Sequence, residues 1–220
     1  MTDRPIPFSP PMVRAILREI EQPGTGKTQT RRVIEPTTDK EIRSGDILVS
    51  WPADAFVRKG ARFRPRYRVG DRLWVREAWR TGRAYDDLSP SEMSGEEPIQ
   101  YEAGPIRLPL QDGRYRHARF MPRWASRLTL LVKEVRVERL QDISEEDARA
   151  EGVEWRDGCY GTWNADGTMR CGGSPDPREA FRCLWINIHG PGSWEANPWV
   201  AVYGFQPILA NIDNMEAAHG

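Results

Sequence analysis

Residues 128–140, LTLLVKEVRVERL, constrain the fold of this chain more than any other segment. The run is long, aliphatic and β-branched. Val135 and Val137 alternate with charged neighbours, a period of two that predicts a strand with one face buried. Directly after it, Ser144-Glu145-Glu146-Asp147 fits a capping box and Gly152 stands where a helix would stop. A short helix over 145–151 is therefore expected at the end of the longest strand.

The rest of the chain is read around that unit. Pro10-Pro11 followed by MVRAILREIEQPG predicts a helix with Met12, Ile16, Leu17 and Ile20 on its apolar face. Strands are expected at Ile47–Trp51, at RVGDRLWVRE after the Gly70-Asp71 turn, and at Trp199–Phe205. PDPREAFRCLWINIHG reads as a second long helix whose apolar face carries Phe181, Leu184, Trp185 and Ile188, stopped by Gly190. Residues 81–114, rich in Gly, Pro, Asp, Ser and Glu, read as an irregular insertion holding one short strand, IQYEA. Residues 155–175 read as a second irregular insertion or lid, and 207–220 as a frayed tail. The order helix, strands, two helices, strand has no βαβ repetition. That disfavours a doubly wound sheet and favours an α+β domain or mixed barrel, one domain over 1–220 with its core at about 5–205.

Lys+Arg and Asp+Glu both number 32, so the formal charge is zero. Wrapping long nucleic acid by charge alone is disfavoured, while a local basic pocket is not. No apolar run reaches the roughly 18 residues of a membrane span. MTDRPIPFSPPM lacks the apolar core of a signal peptide, so a cytoplasmic protein without a membrane partner is expected. Cys159, Cys171 and Cys183 lack the close spacing of a zinc site and read as free thiols.

GTGKTQTRR (24–32) ends like a phosphate-binding loop but fails the pattern. The first glycine of G-x-x-x-x-G-K-[ST] would fall on Glu21, the segment before it is helical, and Pro36 stops TQTRRVIE too early for the helix such a loop needs. Lys27 and Thr30, three apart, would share a face in a helical turn. A neutral lysine there could take the threonine's proton and make it a nucleophile. Its pKa would have to fall from roughly 10.4, through burial or through Arg31 and Arg32. Glu151, at the end of the 145–151 helix, is a candidate general acid because the helix dipole disfavours a carboxylate there. A solvated basic turn and an ordinary surface glutamate are the plainer readings of the same residues.

Taken in order, GKTQTRR, VGDRLWVRE, RVERLQDISEEDARAEGV and NPWVAVYGF resemble ASCH-domain proteins of the PUA-like superfold, in particular the larger ones often encoded in phage genomes. The resemblance spans about Pro5 to Phe205. It implies a mixed β-barrel with flanking helices and a cleft for a nucleobase or single-stranded nucleic acid. Some small bacterial ASCH proteins are amidohydrolases that deacetylate N4-acetylcytidine. Their lysine, threonine and glutamate match Lys27, Thr30 and Glu151, which the resemblance makes base, nucleophile and proton donor, with no metal and no cofactor. A nucleoside is then the expected substrate, with either Thr30 or water attacking. Other ASCH proteins are thought to bind RNA, and ribonuclease activity has been suggested for some. A binding module for RNA or a modified base, or a ribonuclease, is thus the alternative expectation.

Further substrate-binding candidates are Arg31, Glu77, Trp79, Arg123 and Trp124. MPRWASR offers Trp124 as a base-stacking ring and Arg123 as a contact to a carbonyl or phosphate, although such a tryptophan also suits a core. Glu77 and Trp79 follow the RLWVRE strand and could face the cleft. His117, His189 and His219 show no triad or metal spacing and read as structural or exposed.

Overall fold

The computed structural model describes residues 2–36, 56–58, 61–104, 113–164 and 166–215. The expected strand at Ile47–Trp51 lies outside them. The chain opens with β1 (Asp3–Pro7), α1 (Pro10–Glu21) and β2 (Gln29–Val33), then β3 (Phe56–Arg58) and β4 (Ala61–Phe63). Next come β5 (Arg72–Arg76), β6 (Trp79–Arg80), β7 (Gln100–Tyr101) and β8 (Thr129–Arg139). A short helix α2 (Glu145–Ala150) leads to β9 (Glu154–Arg156), β10 (Cys159–Trp163) and β11 (Met169–Ser174), and α3 (Pro177–His189) precedes β12 (Trp199–Ile208).

The fold is mixed α+β, with a mostly β core. Its main sheet has five strands in the order β1-β5-β8-β12-β2. β1 pairs with β5 in parallel, and the other neighbours are antiparallel. β8 sits at the centre, as its length and alternation require, with Leu130, Val132 and Val137 buried. Along β12 the register sets Tyr203 opposite Thr30 of β2 and Gly204 opposite Gln29. Ile6, Val13, Ile16, Leu73, Leu130, Val200 and Phe181 belong to one apolar core. Burial of such side chains is the dominant favourable term in holding layers together.

Local signals place the helices. Pro10 and Pro11 occupy the first turn of α1, where missing amide hydrogens cost nothing. The Ser144 hydroxyl accepts from the Asp147 amide to cap α2, and the Asp176 carboxylate caps α3 by accepting from the Arg178 amide. The reciprocal half of the capping box is absent, because the Asp147 carboxylate faces Gln29, Arg31 and Arg136 instead. On α3, Phe181, Leu184 and Trp185 are buried as expected, but Ile188 is exposed.

Three expectations from composition are corrected. Residues 155–175 are not an irregular lid: β9, β10 and β11 form a three-stranded antiparallel sheet packed against α3. The described part of 81–114 is packed as well. β7 pairs with β6, and Met93, Ile99 and Tyr101 close over Trp79 in a second apolar cluster. Residues 207–215 of the expected frayed tail are ordered. Ile212 is fully buried, and the Asn211 amide donates to the carbonyls of Arg123, Trp124 and Ser126. In each case Gly and polar content masked the few apolar residues that anchor the segment.

Candidate active site

Residues 26–28 are pinned on three sides before β2 begins. The Lys27 amide donates to the Ala15 carbonyl of α1, and the Thr28 amide to the carbonyl of Ala150 at the end of α2. The Thr28 carbonyl accepts from the Phe205 amide of β12. Gly26 makes the approach to α1 possible, since a Cβ there would fall 2.4 Å from the Ala15 carbonyl oxygen. Gly152 does the same from the other side. It has φ 99°, and a Cβ on it would stand 3.1 Å from Cβ of Lys27.

The phosphate-loop resemblance of this turn ends in its own chain. Both oxygens of the Glu19 carboxylate accept from the Gly24 amide at 3.0 Å, and one accepts from the Gly26 amide at 2.9 Å. The amides that would cradle a phosphate are already taken by a carboxylate.

The turn delivers Lys27 into the protein with 1% of its surface exposed. Its Nζ donates to Oε2 of Glu151 at 2.6 Å and to the Glu151 carbonyl at 2.7 Å. Burial lowers the Lys27 pKa from 10.5 to about 8, opposed by the attraction of Glu151 and assisted by Arg32 and Arg31. Glu151 is the C-cap of α2, buried, with Lys27 on one carboxylate oxygen and the Arg31 guanidinium on the other at 3.1 Å. Its immediate partners are therefore cations.

Lys27 and Thr30 do not lie on a helical turn, as their spacing suggested. Lys27 precedes β2 and Thr30 is within it. An extended chain normally sends residues three apart to opposite faces, but the bend before β2 brings both into the wall of one cavity of about 230 Å³. The Thr30 hydroxyl oxygen accepts from Arg32 Nη1 at 2.8 Å, which leaves its own hydrogen free to donate. A guanidinium on that oxygen would favour negative charge there.

The two arginines have different tasks. Arg31 is fully buried and pairs with Glu138 at 2.6 Å, Asp147 at 3.1 Å and Glu151 at 3.1 Å. It holds the glutamate in place from within. Arg32 lines the cavity beside Thr30, donates to the Pro7 carbonyl at 3.1 Å and stacks over Phe8. It thereby ties β2 to the end of β1, the opposite edge of the main sheet.

The apolar wall comes from the start of α1 and from α3. Phe8 and Met12 face Phe181, Leu184, Trp185 and Ile188. The His189 ring stacks on Trp185 with centroids 4.1 Å apart, and burial and then Arg32 lower its pKa. Sequence reasoning placed neither the Arg32 contact to Thr30 nor His189 at the site. The signals were there: Arg32 is two residues from Thr30 on a strand, and Phe181, Trp185 and His189 recur every fourth position on a helix. Polar groups converging in a small apolar cavity are the usual form of a ligand site.

The other candidates lie elsewhere. Glu77 is buried and holds Arg127 through both oxygens at 2.8 and 2.9 Å; burial raises its pKa while Arg127 lowers it. Trp79 is fully buried and meets Trp124 edge-on at 6.4 Å in the second cluster. Arg123 pairs with Asp3 at 2.7 Å and Asp213 at 2.6 Å. None of these four lines the cavity that holds Lys27. Arg31 does so, with its guanidinium turned to carboxylates.

Cys159, Cys171 and Cys183 are free thiols, and burial pushes Cys171 up to about 11. Among the described residues no three His, Cys, Asp or Glu side chains are grouped as metal ligands, and no helix is long and apolar enough to cross a membrane. Compared with models of protein families, with curated proteins and with solved structures, the chain matches none.

Proposed function

We propose that the chain is an amidohydrolase that removes the acyl group from N4-acylated cytosine nucleosides, with N4-acetylcytidine giving cytidine and acetate. The observation that carries this reading is the buried Lys27–Glu151 contact of 2.6 Å in a cavity it shares with Thr30. In the reacting complex the pair holds one proton in its neutral form, amine beside carboxylic acid. That form has the same proton count as the ion pair and differs from it only by one proton passed along the 2.6 Å Lys27–Glu151 hydrogen bond. The amine then takes the Thr30 hydroxyl proton as Oγ1 bonds to the acyl carbon. The carboxylic acid gives its proton to the exocyclic nitrogen as the C–N bond breaks. Water then gives its hydroxyl to the acyl carbon and a proton to the same pair, which returns a proton to Oγ1 as the ester bond breaks, freeing Thr30 and the carboxylic acid. Direct attack by a water activated by Lys27 is the variant without an acyl intermediate.

Arg32 stabilises the oxygen of Thr30, and the apolar wall of Phe8, Phe181 and Trp185 suits a flat ring. The reading also places the main sheet in a PUA-like barrel, its edge strands β1 and β2 drawn together where Arg32 reaches Pro7. A cytoplasmic enzyme working on nucleosides, or on nucleosides within RNA, fits this site.

The test is incubation of the purified protein with N4-acetylcytidine in the presence of chelator, with cytidine followed by ultraviolet absorbance. Wild type should release cytidine. Lys27→Ala and Glu151→Gln, shown to be folded by circular dichroism, should release none. A folded wild type without turnover would refute the reading and return the site to a binding module for a modified base.

A further inference from the structure

Arg72, Arg80, Arg123, Arg127 and Arg136 each hold a carboxylate within 3.2 Å. Arg32, Arg66 and Arg76 are among the arginines that hold none, and they lie together. No Asp or Glu among the described residues lies within ion-pair distance of their guanidinium groups, in a protein whose acids and bases are equal in number. Arg76 Nε is buried with no hydrogen-bond partner at all.

Three contacts bring them to one place. Arg76 is opposite Pro7 in the β1–β5 ladder, and its carbonyl accepts from the Phe8 amide. The Arg32 guanidinium donates to that same Pro7 carbonyl. Arg66 is fixed through its amide to the Tyr203 hydroxyl, and Tyr203 is the cross-strand partner of Thr30. Mutual repulsion accompanies this crowding: after burial, Arg66 lowers the pKa of Arg76, and it adds to the burial that lowers Arg32 against the opposing pull of Glu151, Tyr67 and Tyr203. The three cations lean on aromatic faces, Arg32 on Phe8, Arg66 on Tyr67 and Arg76 on Trp74, so their carbon stems are packed and their charges left over.

Like charges held close together with no carboxylate in contact are costly unless an anion joins them. Three guanidinium groups offer the planar donors that suit phosphate oxygens. They border the cavity at Arg32, next to Thr30, where the non-reacting part of a nucleoside would leave the site. We propose that Arg32, Arg66 and Arg76 form a phosphate subsite, so that the ligand of the cavity is a nucleotide and not a free nucleoside. This rests on the proposed nucleoside reading for the identity of the base, but its test does not require turnover. The phosphate is either the 5′-monophosphate of a free nucleotide or a phosphodiester of RNA.

Calorimetry with cytidine and with cytidine 5′-monophosphate measures the phosphate contribution on a product-like ligand. The monophosphate should bind roughly tenfold or more tightly at low salt, with the advantage shrinking as salt rises. In Arg66→Gln/Arg76→Gln the ratio of the two affinities should fall toward one. Taking the ratio within one variant removes any general loss of folding, which a thermal melt monitors separately. Equal binding of the two ligands by wild type, no binding of either, or a ratio that survives both substitutions would overturn the proposal. Failure of hydrolysis alongside a ratio that collapses in the double variant would leave the phosphate subsite standing and remove only the amidohydrolase. The source is set by comparing the monophosphate with a cytidine-centred trinucleotide. Tighter binding of whichever is the true source should be lost in the double variant.

Discussion

Replacing Lys27 by methionine should change how stability depends on pH in a calculable way. Methionine keeps the length and most of the volume of the side chain but cannot titrate. In the folded protein the lysine loses its proton at about 8, against 10.5 for an exposed lysine. The folded pKa is the lower one, so between these values the unfolded chain holds more protons and stability rises with pH. Below about 8 both states are protonated and the full cost of burying the charge is present; above 10.5 both are neutral and it is gone. The slope in this window approaches about 1.4 kcal/mol per pH unit. Integrated from pH 7 to pH 10, it amounts to between about 2 and 3 kcal/mol.

Urea unfolding of wild type and Lys27→Met at several pH values over this range gives the comparison. The wild-type stability minus that of the variant should climb by that amount. The subtraction cancels groups common to both proteins, including Tyr67, Tyr101 and Tyr203, whose pKa values are raised. A flat difference would show that Lys27 releases no proton in this range, and a falling one that the attraction of Glu151 outweighs burial. Either result would refute the depressed Lys27 pKa and would remove a lysine acting as a base without Glu151.

The same proton governs the rate. If Lys27 and Glu151 work as a pair holding one proton, kcat/KM for N4-acetylcytidine should fall as pH rises through about 8, whereas a lysine acting without Glu151 would give a rise. Thr30→Val should abolish turnover and Thr30→Ser keep part of it, with mass spectrometry of quenched reactions detecting one added acyl group on the wild type; full activity in Thr30→Val would assign the attack to water. Arg32→Gln, which takes the guanidinium from the Thr30 oxygen, should lower kcat by about 10²-fold while circular dichroism stays unchanged. Gly26→Ala should destabilise the fold by about 1–3 kcal/mol in denaturant titration, because its Cβ would press on the α1 backbone at 2.3 Å.

The elements with strong periodicity were legible in the sequence. The alternation of Val135 and Val137 located β8, and Ser144 and Gly152 bracketed α2 within a residue. Lys27, Thr30 and Glu151 were singled out, and the structure brings them to one cavity. The supporting geometry was less accessible. That Lys27 and Thr30 share a wall depends on a bend fixed by hydrogen bonds to Ala15, Ala150 and Phe205, all distant in sequence. The division of labour between Arg31 and Arg32 comes from strand alternation, but only once the segment is known to be a strand. Trp124 and Arg123 carried the right chemistry for a base and its phosphate, yet Trp79 and the carboxylates of Asp3 and Asp213 engage them first. Composition misjudged 155–175 because Gly161 and Gly172 there serve close strand approach in β10 and β11, not looseness.

The pairing of β2 with β12 sets a timetable for the nascent chain. Thr30 is translated more than a hundred residues before the strand opposite it, 199–208. β2 must therefore wait on the ribosome as an unpaired edge, protected from misassociation by its charged residues Arg31 and Arg32. Helix α2, with Glu151, also emerges before β12. The arrangement of Lys27, Thr30 and Glu151 described above thus forms only as β12 docks. A polypeptide arrested before residue 199 would carry Lys27, Thr30 and Glu151 but lack the strand that pairs with Thr30.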